Sequence, residues 1–344
     1  MSTALIITSI SNDINPVLQQ YAVESAINNV RFIVIGDTKS PKDFSIENCD
    51  FYSIERQEEL AFEMVKYLPK KNYARKNIGY LVAIMQGMKI IIETDDDNIP
   101  YPNFWDERKL NISAHVLTGK DWVNVYKYFT DVNIWPRGFA LEKLQNLVPL
   151  LPNISTVYSP IQQGLANDNP DVDAIYRLTL PLPISFKDRN PVALGEGTIC
   201  PFNSQNTTWF NDAFPLLYLP SYCSFRMTDI WRSFIAQRIG WTCGWHVSFG
   251  NKTVRQVRNE HDLMLDFRDE IPGYIHNLDI MKALMDLNLD NGARNIPENM
   301  KRCYAKLIAM GLIESAEMMI LESWLVDIAN IKGLNLFNGN PPAG

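Results

Sequence analysis

The chain has few of the residues that a disulfide or zinc framework requires. Its 344 residues include five cysteines, an odd number, and none stands in CxxC spacing. We therefore expect buried thiols in a reducing compartment. The first ten residues, MSTALIITSI, have no basic segment before their short apolar run, which favours a first strand over a signal peptide. No run approaches the length of a membrane span, so we expect a cytoplasmic protein.

An excess of positive charge is also missing. The net charge of −7 excludes a broad nucleic-acid-binding surface, although a local basic pocket stays compatible with it. The GxGxxG fingerprint of dinucleotide-binding folds is absent after the first predicted strand, where Thr8 and Ser9 stand instead. Hydrophobic residues make up 46% of the chain and charged residues 21%, which is typical of a globular protein with a large core.

Apolar runs and helical patterns alternate in the first part of the chain. Residues 4–10 and 32–36 are β-rich, and the segment between them begins with Asn15 and Pro16, a cap and a first-turn residue of a helix. This β-α-β unit predicts a parallel, right-handed α/β sheet.

The pattern becomes helical from about Asn259. We therefore predict three parts, with bounds 1–256 for a sheet domain, 257–332 for a C-terminal helical region and 333–344 for a flexible tail. The helical region is expected to bury its apolar stripe on the sheet domain, on a partner subunit such as a second copy, or on a membrane surface.

The stretch Ile90–Pro100, IIIETDDDNIP, has the most informative pattern. Three isoleucines predict a strand buried on both faces, and Asp95, Asp96 and Asp97 follow it directly. Adjacent carboxylates repel one another unless a cation or water neutralises them. Because ligands bind beyond the carboxyl ends of strands in open α/β sheets, we predict a Mg²⁺ or Mn²⁺ site that holds substrate phosphates. A solvated acidic loop is the alternative.

Cations begin the helix before this strand. Arg75 and Lys76 lie at its N-terminus, where positive charge opposes the helix dipole. A pyrophosphate at the helix start would explain them, and a solvated basic turn would also do so. Asp37, after the second strand, is either a ligand of a ribose or base or a turn residue.

Three later segments carry weaker signals. Asp229 opens a helix, where an N-cap role is the alternative to chemistry. Asn203 and Gln205 belong to a polar cluster that either orients hydroxyl groups or forms a loop. His246, one of only four histidines, is either a packing residue or a ligand.

Six blocks follow one another over residues 70–250: YARKNIGYLVAIMQG, IIETDDDNIP, IWPRGFALE, DVDAIYRLT, CPFNSQNT and TDIWRSFIAQR. In this order they resemble the STELLO-like family of GT-A-type glycosyltransferase-related proteins. The resemblance implies an α/β fold with a GT-A-like, Rossmann-type mixed sheet flanked by helices, to which the helical pattern of this chain adds a C-terminal helical appendage. The plant members are associated with cellulose synthesis, which suggests a role in polysaccharide biosynthesis.

The activity expected from this resemblance is a metal-dependent glycosyltransferase. It would move a sugar from a nucleoside-diphosphate sugar, preferably UDP-linked, to a glycan or lipid-linked acceptor. Asp95 and Asp97 would hold Mn²⁺ or Mg²⁺, with His246 completing the metal shell. Asp229 would be the general base of an inverting reaction, with Asp173 as the second candidate. The predicted nucleotide- and donor-binding residues are Thr8, Ser9, Asp37, Arg75, Lys76, Asn77, Asp95, Asp96, Asp173, Arg177, Asn203 and Gln205.

Two other functions stay open. A sugar-nucleotide mutase or nucleotidyltransferase would use the same fold and metal. A non-catalytic scaffold would keep the fold and bind partners through the C-terminal helices. Peripheral membrane contact, at the inner face of a membrane, and a homodimer built on these helices are expected as further possibilities for that region.

Overall fold

The computed structural model describes residues 1–258 and 262–331. The α-helices are α1 (Pro16–Ile27), α2 (Ile54–Glu58), α3 (Lys76–Met85), α4 (Ala174–Thr179), α5 (Thr228–Thr242), α6 (Leu263–Met285), α7 (Ile296–Ala309) and α8 (Glu317–Ile331). The strands are β1 (Thr3–Thr8), β2 (Val30–Ile35), β3 (Cys49–Tyr52), β4 (Ile90–Thr94), β5 (Asn98–Pro100), β6 (Asn111–Leu117), β7 (Asp121–Trp122), β8 (Ile154–Tyr158), β9 (Ile161–Asn167), β10 (Val192–Leu194), β11 (Thr198–Ile199), β12 (Asn206–Phe210) and β13 (Val247–Gln256).

One mixed sheet organises the described chain. Its strands follow the order β3, β2, β1, β4, β12, β9, β13, β10, β6 and β8, and β5 pairs with β13. The strands from β3 to β4 run parallel, whereas β12 is antiparallel to both β4 and β9. Because β13 is parallel to β9, it runs in the same direction as β4. The predicted mixed α/β sheet flanked by helices is confirmed.

Strand β1 lies in the middle of the parallel part and is buried on both faces. Ala4 and Ile6 belong to the hydrophobic cluster on the α3 side, and Leu5 and Ile7 belong to the cluster on the α1 side, because successive side chains of a strand point to opposite faces. A Cβ on Gly79 of α3 would lie 2.6 Å from Cγ2 of Ile6. Glycine at this position therefore lets α3 approach the sheet closely.

The C-terminal helices pack on the sheet domain, the first of the three partners expected for them. The Trp324 indole nitrogen donates to the Pro215 carbonyl at 2.9 Å. The Asp327 carboxylate accepts the backbone N–H groups of Glu63 at 2.7 Å and Met64 at 2.8 Å. These contacts join α8 to the core that contains α3 and α5.

The helical region begins close to where the sequence pattern becomes helical. Helix α6 begins at Leu263, a few residues after Asn259, and continues through Pro272. The domain boundary after residue 256 stays a prediction, and the predicted tail, 333–344, lies outside the described residues. Over the described ranges no helix combines the length and the apolar character that crossing a bilayer requires.

Candidate functional site

The acidic loop, Asp95–Asp97, follows β4 at the point where the strand order reverses between β1 and β4. This is the crevice where open α/β sheets bind ligands. A cavity of about 260 Å³ opens over the loop, and we call it the central cavity. Of the residues predicted to bind the donor, Thr8, Arg177 and Gln205 line it together with the acidic loop, and Asp229 lines it as well.

The Asp95 side chain is held by Tyr73 and Lys76, which lie just before and at the start of α3. Its Oδ1 accepts the Tyr73 hydroxyl at 3.1 Å and lies 3.2 Å from the Lys76 ammonium. Lys76 is fully buried and also donates to the Tyr73 hydroxyl and to the Thr94 carbonyl, each at 2.8 Å. Burial raises the pKa of Asp95, and the Lys76 charge opposes this rise. The side chain is therefore fixed at the floor of the cavity.

Asp96 turns toward the end of β1. Its Oδ2 accepts the Ser9 hydroxyl at 2.5 Å and the Ser11 hydroxyl at 2.9 Å. Ser9 and Asp96 both line a second cavity of about 460 Å³, which shares Thr8 and Tyr73 with the central cavity. We call it the β1 cavity. Ser9 thus orients Asp96 of the acidic loop through a hydrogen bond, and it also lines the β1 cavity.

Asp37 lies in the wall of the β1 cavity. Its Oδ1 accepts the backbone N–H of Lys71 at 2.9 Å, and its Oδ2 accepts that of Asn72 at 3.0 Å. A third backbone N–H, that of Thr38, also donates to Oδ1. Of the two roles expected for Asp37, the turn role accounts for these bonds. The carboxylate holds residues 71 and 72 at the rim of the cavity.

Asp97 is the member of the loop that fits a metal ion best. Its Oδ2 accepts the Gln256 amide at 3.0 Å, but its buried Oδ1 has no hydrogen-bond partner. Burial, together with the Asp95 and Asp96 charges, raises the pKa of Asp97 to about 7. An unsatisfied buried carboxylate oxygen beside two other carboxylates is what a cation would stabilise.

The protein supplies only part of a metal shell. Within residues 1–258 and 262–331, no three His, Cys, Asp or Glu side chains lie close enough together to hold an ion. Asp95 and Asp97 fit an ion that completes its shell with phosphate oxygens and water, as Mg²⁺ commonly does. Its remaining ligands would then come from the substrate.

His246 does not belong to this site, so its prediction as a metal ligand is wrong. It precedes β13, whereas Gln256, which contacts Asp97, ends that strand. Ten residues of extended strand separate the two positions by roughly 30 Å. The His246 ring instead contacts the Tyr158 carbonyl, with Nδ1 at 3.3 Å from the oxygen.

Asp229 faces the acidic loop from the start of α5. Its Oδ2 accepts the Arg137 guanidinium and both the backbone N–H and the hydroxyl of Ser204, each at 3.0 Å. The Arg137 charge holds the pKa of Asp229 well below its usual range despite burial. A carboxylate that ionises so readily is a weak base. The ion pair with Arg137 therefore favours a binding role for Asp229 over its predicted role as general base.

Four guanidinium groups line the central cavity, and we call this set the arginine wall. Its members come from four separate segments and are Arg137, Arg177, Arg226 and Arg258. Arg137 binds Asp171 with two hydrogen bonds of 2.8 Å. The lining of the cavity thus combines carboxylates and guanidinium groups.

Arg75 and Lys76 were predicted to bind a pyrophosphate together, but they do not line a common cavity. Lys76 is bound to Asp95 beneath the loop and does not line either cavity. Arg75 lines the β1 cavity, but its Nε donates to Gln57 at 2.8 Å and its Nη1 to the Leu68 carbonyl at 3.3 Å. Consecutive helical residues point in different directions, so the two cations cannot face one diphosphate together.

Three other predicted donor-binding residues have structural roles. Asn77 is buried and exchanges two hydrogen bonds with the Leu219 backbone, at 2.8 and 2.9 Å. Asp173 caps α4 through the Tyr176 N–H and accepts the Trp135 indole at 2.6 Å. The Asn203 side chain accepts the Gln205 N–H at 3.0 Å and closes a turn. None of the three lines either cavity, so the structure gives no support to the assignment of these side chains to the donor.

Several residues of the site were not found from the sequence. Tyr73, Arg137 and Asp171 stand inside the blocks quoted above, and a search for tyrosines and charged residues within those blocks would have found them. Gln256 ends β13 and Arg258 follows that strand, and only the pairing of β5 with β13 brings them next to the acidic loop.

Two solved structures share a distant likeness with the chain. A mycobacterial protein aligns with 81% of this chain and 74% of its own, at 11% identity and a TM-score of 0.41. Glucosyl-3-phosphoglycerate synthase of M. tuberculosis aligns with 80% of this chain and 79% of its own, at 11% identity and a TM-score of 0.38. Scores this low do not by themselves establish a shared fold.

Sequence comparison gives a closer relationship. A family model described as STELLO glycosyltransferases matches residues 226–336. The probable glycosyltransferase STELLO2 of Arabidopsis thaliana is 32% identical over 256 residues, which are 67% of this chain and 33% of the relative. The probable glycosyltransferase STELLO1 of the same plant is 30% identical over 248 residues, 64% of this chain and 32% of the relative. The chain thus spans about a third of the length of these relatives, and it belongs to a STELLO-like glycosyltransferase family.

Proposed function

We propose that this chain is a metal-dependent glycosyltransferase that takes a sugar from a nucleoside-diphosphate sugar. The observation that carries the proposal is the acidic loop at the strand-order reversal, which lines the central cavity together with the arginine wall. Carboxylates for a divalent cation and guanidinium groups for anions are the two components that a site for transfer from a diphosphate needs.

The β1 cavity is the proposed site of the nucleoside. It is joined to the central cavity through Thr8, Tyr73, Asp96 and Phe225, so a ligand can extend from one into the other. The side chain of Phe225 is 59% exposed and is available for stacking on a base. A nucleoside here would direct its phosphates toward the acidic loop.

Mn²⁺ or Mg²⁺ at Asp95 and Asp97 would neutralise negative charge that develops on the leaving diphosphate. Tyr73 and Lys76 hold Asp95 in place, and Gln256 holds Asp97. These three side chains therefore fix the two carboxylates before the substrate binds.

Asp229 is proposed to bind a hydroxyl group of one substrate. All the hydrogen bonds described for its carboxylate end on Oδ2. Its Oδ1 can therefore accept a sugar hydroxyl while Arg137 and Ser204 keep the side chain ionised and oriented. Because such a carboxylate takes up a proton poorly, the predicted inverting reaction loses the base on which it was built.

The proposal is tested by a screen of UDP- and GDP-sugars with the full chain, with and without Mn²⁺. We expect Mn²⁺-dependent release of free nucleoside diphosphate that increases when an acceptor is added. Release of an interconverted or newly formed sugar nucleotide would indicate a mutase or nucleotidyltransferase instead. No turnover and no Mn²⁺-dependent thermal shift with any sugar nucleotide would contradict the proposal and favour a scaffold.

A further inference from the structure

The arginine wall contains buried guanidinium nitrogens without a hydrogen-bond partner, at Arg177 and at Arg258. Arg137 is neutralised by Asp171 and Asp229, with nitrogen-to-oxygen distances of 2.8 and 3.0 Å. No member of the wall lines the β1 cavity, where the nucleoside is proposed to bind. The wall therefore faces the part of the central cavity that lies away from the nucleoside.

Arg177 is the member of the wall without a carboxylate partner in the described ranges. Its Nη2 donates to the Pro170 carbonyl at 2.9 Å, its Nη1 has only a long contact of 3.4 Å with Asn169, and its buried Nε has no partner. Burial and the neighbouring charges of Arg258 and Arg226 lower the pKa of Arg177 to about 10. Arg177 is thus a partly buried cation that no carboxylate of the described ranges binds directly.

Arg258 also has an unused hydrogen-bond donor. Its Nη2 donates to Asp266 at 2.5 Å, but its buried Nε has no hydrogen-bond partner. Burial and the Arg226 charge lower the pKa of its guanidinium. Convergent guanidinium groups with unused N–H donors are stabilised when an anion binds between them.

Resting on the proposed function, we propose that the acceptor carries an anionic group, a phosphate or a carboxylate, which Arg177 and Arg258 bind. Both side chains line the central cavity, and Gln256, two residues before Arg258, contacts Asp97. An anion at Arg177 and Arg258 would therefore lie beside the acidic loop, within the same cavity as the transferred sugar. The donor diphosphate is the other source of such an anion, and the test separates the two.

The test measures binding of inorganic phosphate and of acetate to the full chain by titration calorimetry at constant ionic strength, with chloride as the background. The variant Arg177→Gln is compared with Arg238→Gln. Arg238 is a matched control because it donates to two backbone carbonyls, at Leu284 and Leu287, and does not line the central cavity. UDP with Mn²⁺ is titrated into the same proteins.

We expect at least one of the two anions to bind, and Arg177→Gln to weaken that binding by about tenfold or more, as loss of a charged hydrogen-bond donor does. Arg238→Gln should leave it unchanged. The affinity for UDP with Mn²⁺ should be the same in both variants, and UDP and the small anion should bind together. If Arg177→Gln lowers the melting temperature, Arg258→Gln gives the same comparison.

The proposal is overturned if neither anion binds, or if both variants weaken binding equally. It is also overturned if Arg177→Gln weakens UDP as much as phosphate, or if UDP excludes phosphate, because the wall would then serve the donor diphosphate. A chain that binds phosphate through Arg177 but never binds UDP with Mn²⁺ would keep the anion site and refute the proposed function.

Discussion

A buried ion pair joins Glu93 to Arg232. Glu93 belongs to β4, the strand that ends at the acidic loop, and Arg232 belongs to α5, the helix that carries Asp229. Arg232 Nη2 lies 2.7 Å from Glu93 Oε1, and Arg232 Nη1 lies 2.9 Å from Oε2. Trp209 also donates to Oε1 at 2.8 Å, and Tyr80 donates to Oε2. Both charged side chains are almost completely buried. The pair therefore fixes α5 against the strand that ends in the acidic loop.

Replacing Arg232 with methionine leaves the Glu93 carboxylate buried without its countercharge. Loss of one partner of a buried ion pair costs about 3–5 kcal/mol in the free energy of unfolding. Replacing both residues, with Glu93→Gln added, removes the unpaired charge, and we expect most of that loss to be recovered. The Arg238→Met variant, on the same helix and with no ion pair in the described ranges, should cost clearly less than Arg232→Met.

Urea unfolding followed by circular dichroism measures these free energies. Two-state transitions with equal slopes are the condition for comparing the variants. A loss of less than about 1 kcal/mol in Arg232→Met, in the range of a surface pair, would refute the argument from burial. A double variant as unstable as the single one would show that packing, and not the unpaired charge, causes the loss.

Three further predictions concern residues whose expected roles changed. Asp229→Asn should raise the KM of one substrate without moving the pH dependence of kcat, because the pKa of Asp229 is held low; loss of a pH limb in kcat would restore its role as base. Burial raises the pKa of Asp173 from 3.8 to about 6. The folded state therefore holds this proton more tightly than the unfolded state, and the free energy of unfolding decreases by about 3 kcal/mol as the pH rises from 4 through 6. Asp173→Asn should therefore show a smaller decrease in urea-unfolding free energy between pH 4 and 7, and parallel pH profiles would contradict this. Asn77→Ala should destabilise the fold by about 1–3 kcal/mol and leave the UDP affinity unchanged; weakened UDP binding with unchanged stability would restore its predicted role.

Local sequence patterns predicted the centre of the sheet and the position of the acidic loop. The isoleucines of β4 and the continuous apolar run of β1 are typical of strands buried on both faces, and such strands belong in the middle of a parallel sheet. The carboxyl end of such a central strand lies at the crevice where open α/β sheets bind ligands. For this reason Asp95–Asp97 could be assigned to a crevice without any knowledge of their contacts.

The cationic side of the site could not be predicted in the same way. Lys76 has the position of an anion-binding residue at a helix start, but the close packing of α3 on the sheet directs its ammonium to Asp95. Arg177 and Arg258 are 81 residues apart and meet only through the order of the sheet. The sequence does not reveal strand direction. His246 was therefore predicted to lie at the site, whereas it precedes β13 and the opposite end of that strand lies there.

The most direct test of the account is the affinity of the full chain for UDP with and without Mn²⁺, measured by titration calorimetry for the unaltered chain and for Asp97→Asn. Asp106→Asn, an exposed acidic residue outside both cavities, is the control. We predict that Mn²⁺ strengthens UDP binding by about tenfold or more in the unaltered chain and the control, and that Asp97→Asn removes this gain while the protein stays folded. An equal Mn²⁺ effect in Asp97→Asn would contradict the claim that the acidic loop holds the metal.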